Sequence, residues 1–235
     1  MPKLDGMKVT VVEHEAEAPL GFLAEWMEGV EFEVVRPYLG DPVPERAADG
    51  LIVLGGAMAA WEDEDNPWLP ATRALIATAV RDGVPTLGIC LGAQLMALAC
   101  GGAAARGGNG LEIGACAVRA LPAAADDAIF SSLTTAVTVH YHQDAITALP
   151  AGATLLATGA QYPIQAFRLG DTAWGVQFHP EATPEIFASW TPDEELNLHV
   201  RNAEPELRAA WRPVAEAFAA QIHHSIHAHV RGHSA

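Results

Sequence analysis

The sequence predicts an α/β fold with a mostly parallel central sheet and a smaller antiparallel β element, and three observations carry that prediction. Short apolar runs bounded by turn residues recur at Val9 to Val12, Phe32 to Val35, Leu51 to Leu54 and Pro85 to Ile89, each of strand length. Between them lie longer stretches, Leu20 to Glu28 and Trp68 to Arg81. Beyond Gly101 the rhythm changes to closely spaced β-rich segments.

The strands of the first half alternate with helical patterns, which is the rhythm of a parallel sheet with helices crossing over it. In Trp68 to Arg81, Leu69, Leu75, Ile76 and Val80 recur at roughly the helical period and mark an apolar stripe. The later segments are Ala115 to Leu121, Val137 to Tyr141, Thr154 to Thr158, Ile164 to Leu169 and Ala173 to Phe178, and some of them are expected to pair antiparallel. Gly107 to Gly110 reads as a hairpin loop. From Pro184 the chain is helical again, with an acidic patch at Asp193 to Glu195 and an amphipathic stretch from Glu206 to about Ile222 that is expected to pack beside the sheet. Without an internal repeat or a long linker, one domain over residues 1–235 is expected, with a core at about 7–190 and a C-terminal helical extension at about 191–235.

Half of the 235 residues are hydrophobic and 18% are charged, which excludes a disordered chain. A net charge of -16 repels phosphate backbones and anionic lipid, so neither nucleic acid nor a membrane surface is an expected partner. No segment approaches the ~20 uninterrupted apolar residues of a spanning helix. The first residues lack a basic stretch followed by an apolar core, and a cytoplasmic protein is expected. The three cysteines, Cys90, Cys100 and Cys116, form neither an even set nor a metal-type cluster, so free thiols and no metal are expected.

The most informative stretch is Pro85-Thr86-Leu87-Gly88-Ile89-Cys90-Leu91-Gly92-Ala93-Gln94, followed by an apolar helical run that Gly101 and Gly102 terminate. It reads as strand, sharp turn, helix. Glycine two residues before and two after Cys90 gives the spacing of a nucleophile elbow, where missing side chains let strand and helix approach while the central residue takes a strained backbone. The sulfur would lie at the N-terminus of the following helix, whose N–H groups and dipole favour a thiolate. The alternative for Cys90 alone is a buried thiol filling a tight turn, which is the role expected of Cys100 and Cys116.

Amide cleavage by a thiolate also needs a proton donor for the departing nitrogen, and histidine suits that task. Among ten histidines, His179 follows an apolar strand and begins His179-Pro180-Glu181. A residue before proline is held extended, so His179 and Glu181 are expected to project from the same side of the chain. That places a carboxylate to orient the imidazole, completing a nucleophile, base and orienter set.

These residues, Gly88-Ile89-Cys90-Leu91-Gly92-Ala93-Gln94 with Gly175-Val176-Gln177-Phe178-His179-Pro180-Glu181 downstream and Gly55-Gly56 after an earlier strand, resemble a class I glutamine amidotransferase of the kind found as the glutaminase domain of GMP synthases and in their stand-alone relatives. The resemblance implies a flavodoxin-like three-layer sandwich. It also implies a γ-glutamyl thioester on Cys90 and a substrate that is glutamine or another γ-glutamyl compound, with no cofactor. It places backbone donors of an oxyanion hole at Gly56 and Leu91 and substrate contacts at Gln94 and at His142, within His140-Tyr141-His142-Gln143-Asp144. Ala57 stands where the family has proline, which leaves the turn less rigid. Arg106 with Glu112-Ile113-Gly114 resembles the family's β-hairpin segment, where a structural role is expected, and Trp61 to Trp68 resembles a loop of the stand-alone relatives that would border the pocket or a partner surface, or else, as expected here, be a solvated loop before a helix.

His223, His224, His227, His229 and His233 include helix-neighbour spacings that would suit a metal, but a frayed polar tail is expected. Three activities remain open on the sequence. One is a glutaminase that passes ammonia to a separate synthase subunit, another a self-sufficient γ-glutamyl hydrolase or peptidase, and the third a catalytically silent binding module.

Overall fold

The computed structural model describes residues 6–232, with side chains described as far as His227. In chain order the regular elements are β1 (Met7–Val12), α1 (Phe22–Trp26), β2 (Val30–Val35), β3 (Gly50–Val53), α2 (Leu69–Arg81), β4 (Thr86–Ile89), α3 (Leu91–Ala99), β5 (Ala103–Arg106) and β6 (Glu112–Ala120). There follow β7 (Thr135–His142), β8 (Asp144–Ala148), β9 (Thr154–Gly159), β10 (Ala166–Leu169), β11 (Ala173–Val176), α4 (Pro184–Trp190) and α5 (Glu194–Gly232).

Nine strands form one sheet in the order β2-β1-β3-β4-β11-β10-β9-β6-β7. From β2 to β11 neighbours run parallel; from β11 onward they run antiparallel. The central sheet thus changes sense at β11, and a smaller antiparallel element, the pair β5 and β8, stands apart from it as expected. Strands β3, β4 and β11 are buried along their whole length, because helices cover both faces and leave no polar side to alternate with.

On one face Phe22, Trp26, Trp211 and Phe218 of α1 and α5 join the sheet in a core; on the other, Leu69, Leu75, Leu91 and Leu95 of α2 and α3 do so. Helix α5 is held to the sheet by more than apolar contact, since Trp211 Nε1 donates to the Val137 carbonyl oxygen at 2.8 Å. No helix among the described residues is long and apolar enough to cross a membrane.

Two expectations are corrected. Gly107 to Gly110 does not close a hairpin: it links β5 to β6, which lie in different sheets, because β5 leaves to pair with β8 in a separate two-stranded sheet. Residues 223–232 are not a frayed tail, since α5 runs unbroken to Gly232. Within it His223 and His227 lie one turn apart with their Nε2 atoms at 3.0 Å, while the side chains of His229 and His233 fall outside the described residues. Helix α5, within the helical extension expected from about 191, carries Pro205 and Pro213 in its interior, where burial of Leu207, Trp211, Val214 and Phe218 outweighs the missing N–H groups.

Candidate active site

Cys90 sits between β4 and α3 with φ 49° and ψ -105°, and it is the non-glycine residue with positive φ among the described residues. The two flanking glycines explain how that bend is tolerated. A Cβ on Gly88 would lie 2.7 Å from the Gly92 carbonyl oxygen, and one on Gly92 would collide with the Val53 carbonyl oxygen of β3. Strand and helix thus cross at backbone contact and leave Cys90 at the tip of the turn. Its N–H donates to the Val176 carbonyl oxygen at 2.8 Å, extending the β4 to β11 ladder by one bond.

His179 follows β11 by three residues, and its backbone N–H donates to the Val139 carbonyl oxygen of β7 at 2.8 Å. Its Nδ1 lies 2.8 Å from Glu181 Oε1, and its ring shares the Gly55 turn with the Cys90 side chain. Burial disfavours a charged His179, but Glu181 and then Cys90 outweigh it and raise the imidazole from 6.5 to about 10. Trp190 covers the ring with its centroid at 4.7 Å. Gly55 lets the two side chains approach: a Cβ there would be 2.8 Å from His179 Cε1 and 3.7 Å from Cys90 Cβ.

Cys90 and His179 open into a cleft of about 550 Å³. Of the sequence-derived candidates, Gly56, Cys90, Gln94, His142 and His179 line it. Glu181 lies behind His179, fully buried, and Leu91 turns its side chain into the α2 and α3 core. As the first residue of α3, Leu91 has an N–H without an intrahelical acceptor.

Gln94 is engaged by the protein, its Nε2 donating to the Asp144 carbonyl oxygen at 2.9 Å and approaching Gln177 Oε1 at 3.3 Å. Gln177 in turn directs its Nε2 at Cys90 Sγ, 3.7 Å away. His142 is fixed at both nitrogens, with Nδ1 3.0 Å from the Asp144 carbonyl oxygen and Nε2 3.0 Å from Glu112 Oε2. The side chains of His140 and His142 outweigh the burial of Glu112 and lower its carboxyl to about 2. Arg106, expected to be structural, lines the cleft and pairs with Asp144 at 3.1 Å. The acidic loop at 61–68 stays outside the cleft, and Asp63 pairs with Arg73 of α2.

Sequence reasoning missed three contributors. Gln177 stands two residues before His179 on a strand end, so the two-residue period pointed it at the same side. Trp190 belongs to α4 and gave no signal. Glu15 lines the cleft from the loop after β1, and its Oε2 accepts from the Ala57 N–H at 3.1 Å. Burial pushes the Glu15 carboxyl up, opposed by that bond. The bond needs the N–H that a proline at 57 would lack. Beside it, a Cβ on Gly56 would meet Met58 Sδ at 2.6 Å and His14 Cβ at 3.0 Å, so the turn is packed closely on both sides. His14 is itself kept neutral, lowered to about 4 by burial, and its Nδ1 accepts from Trp68 Nε1 at 3.0 Å.

The family model for glutamine amidotransferase class-I matches residues 26–194. A GMP synthase of Thermus thermophilus is 34% identical over 181 residues, covering 68% of this chain and 34% of that protein, so the chain spans about a third of the length of that relative. Gamma-glutamyl peptidase 5 of Arabidopsis thaliana is 28% identical over 186 residues, covering 72% of each chain. A solved glutamine amidotransferase from Thermotoga maritima superposes with a TM-score of 0.80 at 25% identity, covering 91% of this chain and 98% of that one. A family match over well more than half of the residues, on a fold and cleft of this kind, means that the chain belongs to the class I glutamine amidotransferases.

Proposed function

We propose that the chain is a single-domain amidohydrolase of residues 1–235 that cleaves the γ-glutamyl amide of glutamine through a thioester on Cys90. The Cys90 sulfur attacks the amide carbon, and the carbonyl oxygen becomes an oxyanion facing the N–H groups of Gly56 and Leu91. As the C–N bond breaks, His179 gives a proton to the leaving nitrogen while Glu181 holds the ring and stabilises its charged form. Water, deprotonated by the same histidine, then hydrolyses the thioester to release the γ-carboxylate and regenerate Cys90. Gln94 and His142 shape the wall that receives the glutamyl part. Ammonia passes to a separate synthase subunit in the cytoplasm, a role suggested by the similarity to GMP synthases.

The observation that carries this proposal is that His179, 2.8 Å from Glu181, lines the same cleft as Cys90, both side chains lying against Gly55. Treatment with a glutamine-derived diazo ketone, followed by peptide mass spectrometry, is expected to place one adduct on Cys90. An unmodified Cys90 in folded protein, or glutamine turnover that survives Cys90→Ala, defeats the proposal.

A second reading, a γ-glutamyl peptidase, is favoured by one observation: the chain matches 72% of the length of the plant peptidase but 34% of the GMP synthase. Turnover of γ-glutamyl peptides by the purified chain alone, faster than that of glutamine, selects it. Weak glutaminase activity that rises when a copurifying synthase is added selects the first.

A further inference from the structure

Behind the cleft wall, Glu112, His140 and His142 bring three ligand atoms within 4.8 Å of one another. They come from the paired strands β6 and β7, where Glu112 faces His142 across the ladder and His140 stands two residues away on the same side. Glu112 Oε2 is 3.0 Å from His142 Nε2 and 3.3 Å from His140 Nδ1, and the side chains are 6%, 2% and 0% exposed for Glu112, His142 and His140. A hydrogen-bond network accounts for part of this, since Glu112 Oε2 also accepts from Gln165 Nε2 at 2.9 Å. It does not account for His140. Its Nδ1 faces Glu112 Oε2 at 3.3 Å without forming a well-aligned hydrogen bond, its Nε2 has no hydrogen-bond partner among the described residues, and Gln165 Oε1 is also buried without one. Buried polar atoms are normally paired, and an imidazole left open toward a carboxylate and a second imidazole is a donor set awaiting a cation.

We propose that Glu112, His140 and His142 bind a divalent transition-metal ion of the zinc class. Two imidazoles and one carboxylate suit zinc rather than calcium, which takes 6–8 oxygens. Ligands about 2.0–2.1 Å from a tetrahedral zinc lie roughly 3.3–3.4 Å from each other, close to the separations around Glu112 Oε2. The contact between His142 Nδ1 and the Asp144 carbonyl oxygen supplies the outer support that metal-binding histidines usually have, leaving Nε2 turned toward the site. The ion replaces a proton on Nε2, and the unpaired oxygen of Gln165 or a water takes the fourth position. Because His142 lines the cleft, the ion would brace that wall without touching the reacting groups. The site does not depend on the glutaminase proposal.

The test uses the full chain carrying Cys90→Ser, which removes the thiol beside His179 as a competing ligand, and also His223→Ala with His227→Ala, which removes the exposed histidine pair. Competition against a chromophoric chelator is expected to give one zinc per chain with a dissociation constant below about a micromolar. Cobalt substitution is expected to give the visible bands of a four-coordinate nitrogen and oxygen site without sulfur charge transfer. His140→Gln and Glu112→Gln are expected to weaken zinc binding at least 100-fold. Absence of stoichiometric zinc and of those cobalt bands in the folded chain overturns the proposal whether or not the variants fold. Unchanged affinity in a folded His140→Gln overturns it as well.

Discussion

The carboxylate of Glu181 lies 2.8 Å from His179 Nδ1, both residues buried, with His179-Pro180-Glu181 turning just enough to bring side chains two residues apart into contact. Glu181→Gln keeps the shape and removes the charge. The expected result is a fall in kcat on the order of 10²–10⁴-fold with a small change in KM, measured as glutamate release.

The same pair predicts how stability varies with pH. The folded pKa of His179 is raised from 6.5 to about 10, so its contribution is fully present below about 6.5 and is lost as pH rises through about 10. Urea midpoints measured from pH 6 to pH 10 are expected to decline, and to decline less in Glu181→Gln. Equal slopes for the two proteins would show that the ion pair adds nothing to the fold.

Cys90 is held at φ 49° and ψ -105°, a conformation that costs a side-chain-bearing residue about 1–3 kcal/mol. Cys90→Gly is therefore expected to be at least as stable as Cys90→Ala by equilibrium denaturation, reversing the usual order of the two replacements. Both are expected to be inactive. A glycine variant clearly less stable than the alanine variant would mean that the bend is not strained.

Glu15 is expected to set the aim of the turn at Gly56 through its bond to the Ala57 N–H. Glu15→Gln retains an acceptor and should keep most activity, whereas Glu15→Ala loses one hydrogen bond, of about 1 kcal/mol or roughly fivefold in kcat. The kcat and KM split discriminates: a fall confined to KM would assign Glu15 to substrate binding instead.

Gly92→Ala is expected to destabilise the chain by about 3 kcal/mol or more, because its Cβ meets the Val53 carbonyl oxygen and neither backbone can retreat. Gly83→Ala, at φ +71° in open space, should cost only about 1–2 kcal/mol. Chemical denaturation of both variants measures the contrast.

Much of this was legible in the sequence because it depended on local signals. The strands of the parallel half are continuous apolar runs, and the bend at Cys90 needs glycines at fixed offsets, so both are written within a few residues. Strands β5 and β8 were not legible, since Ala103 to Arg106 has neither alternation nor bulk and gains its pairing only from a partner about forty residues away. Likewise Glu112, His140 and His142 come from strands β6 and β7 and Gln165 from the residue before β10, and no spacing along the chain announces their meeting. Helix α5 defeated local rules in the other direction. Two prolines and a polar end argue against a helix of 39 residues, and the apolar face pressed on the sheet decides otherwise.

The bond from the Cys90 N–H to the Val176 carbonyl oxygen ties the sulfur-bearing bend to the end of β11, three residues before His179. Neighbouring strands in the middle of the sheet thus hold both halves of the machinery in a common register, with no hinge between them. On warming, such an enzyme should keep its turnover until the sheet itself parts, so that inactivation and melting are a single event.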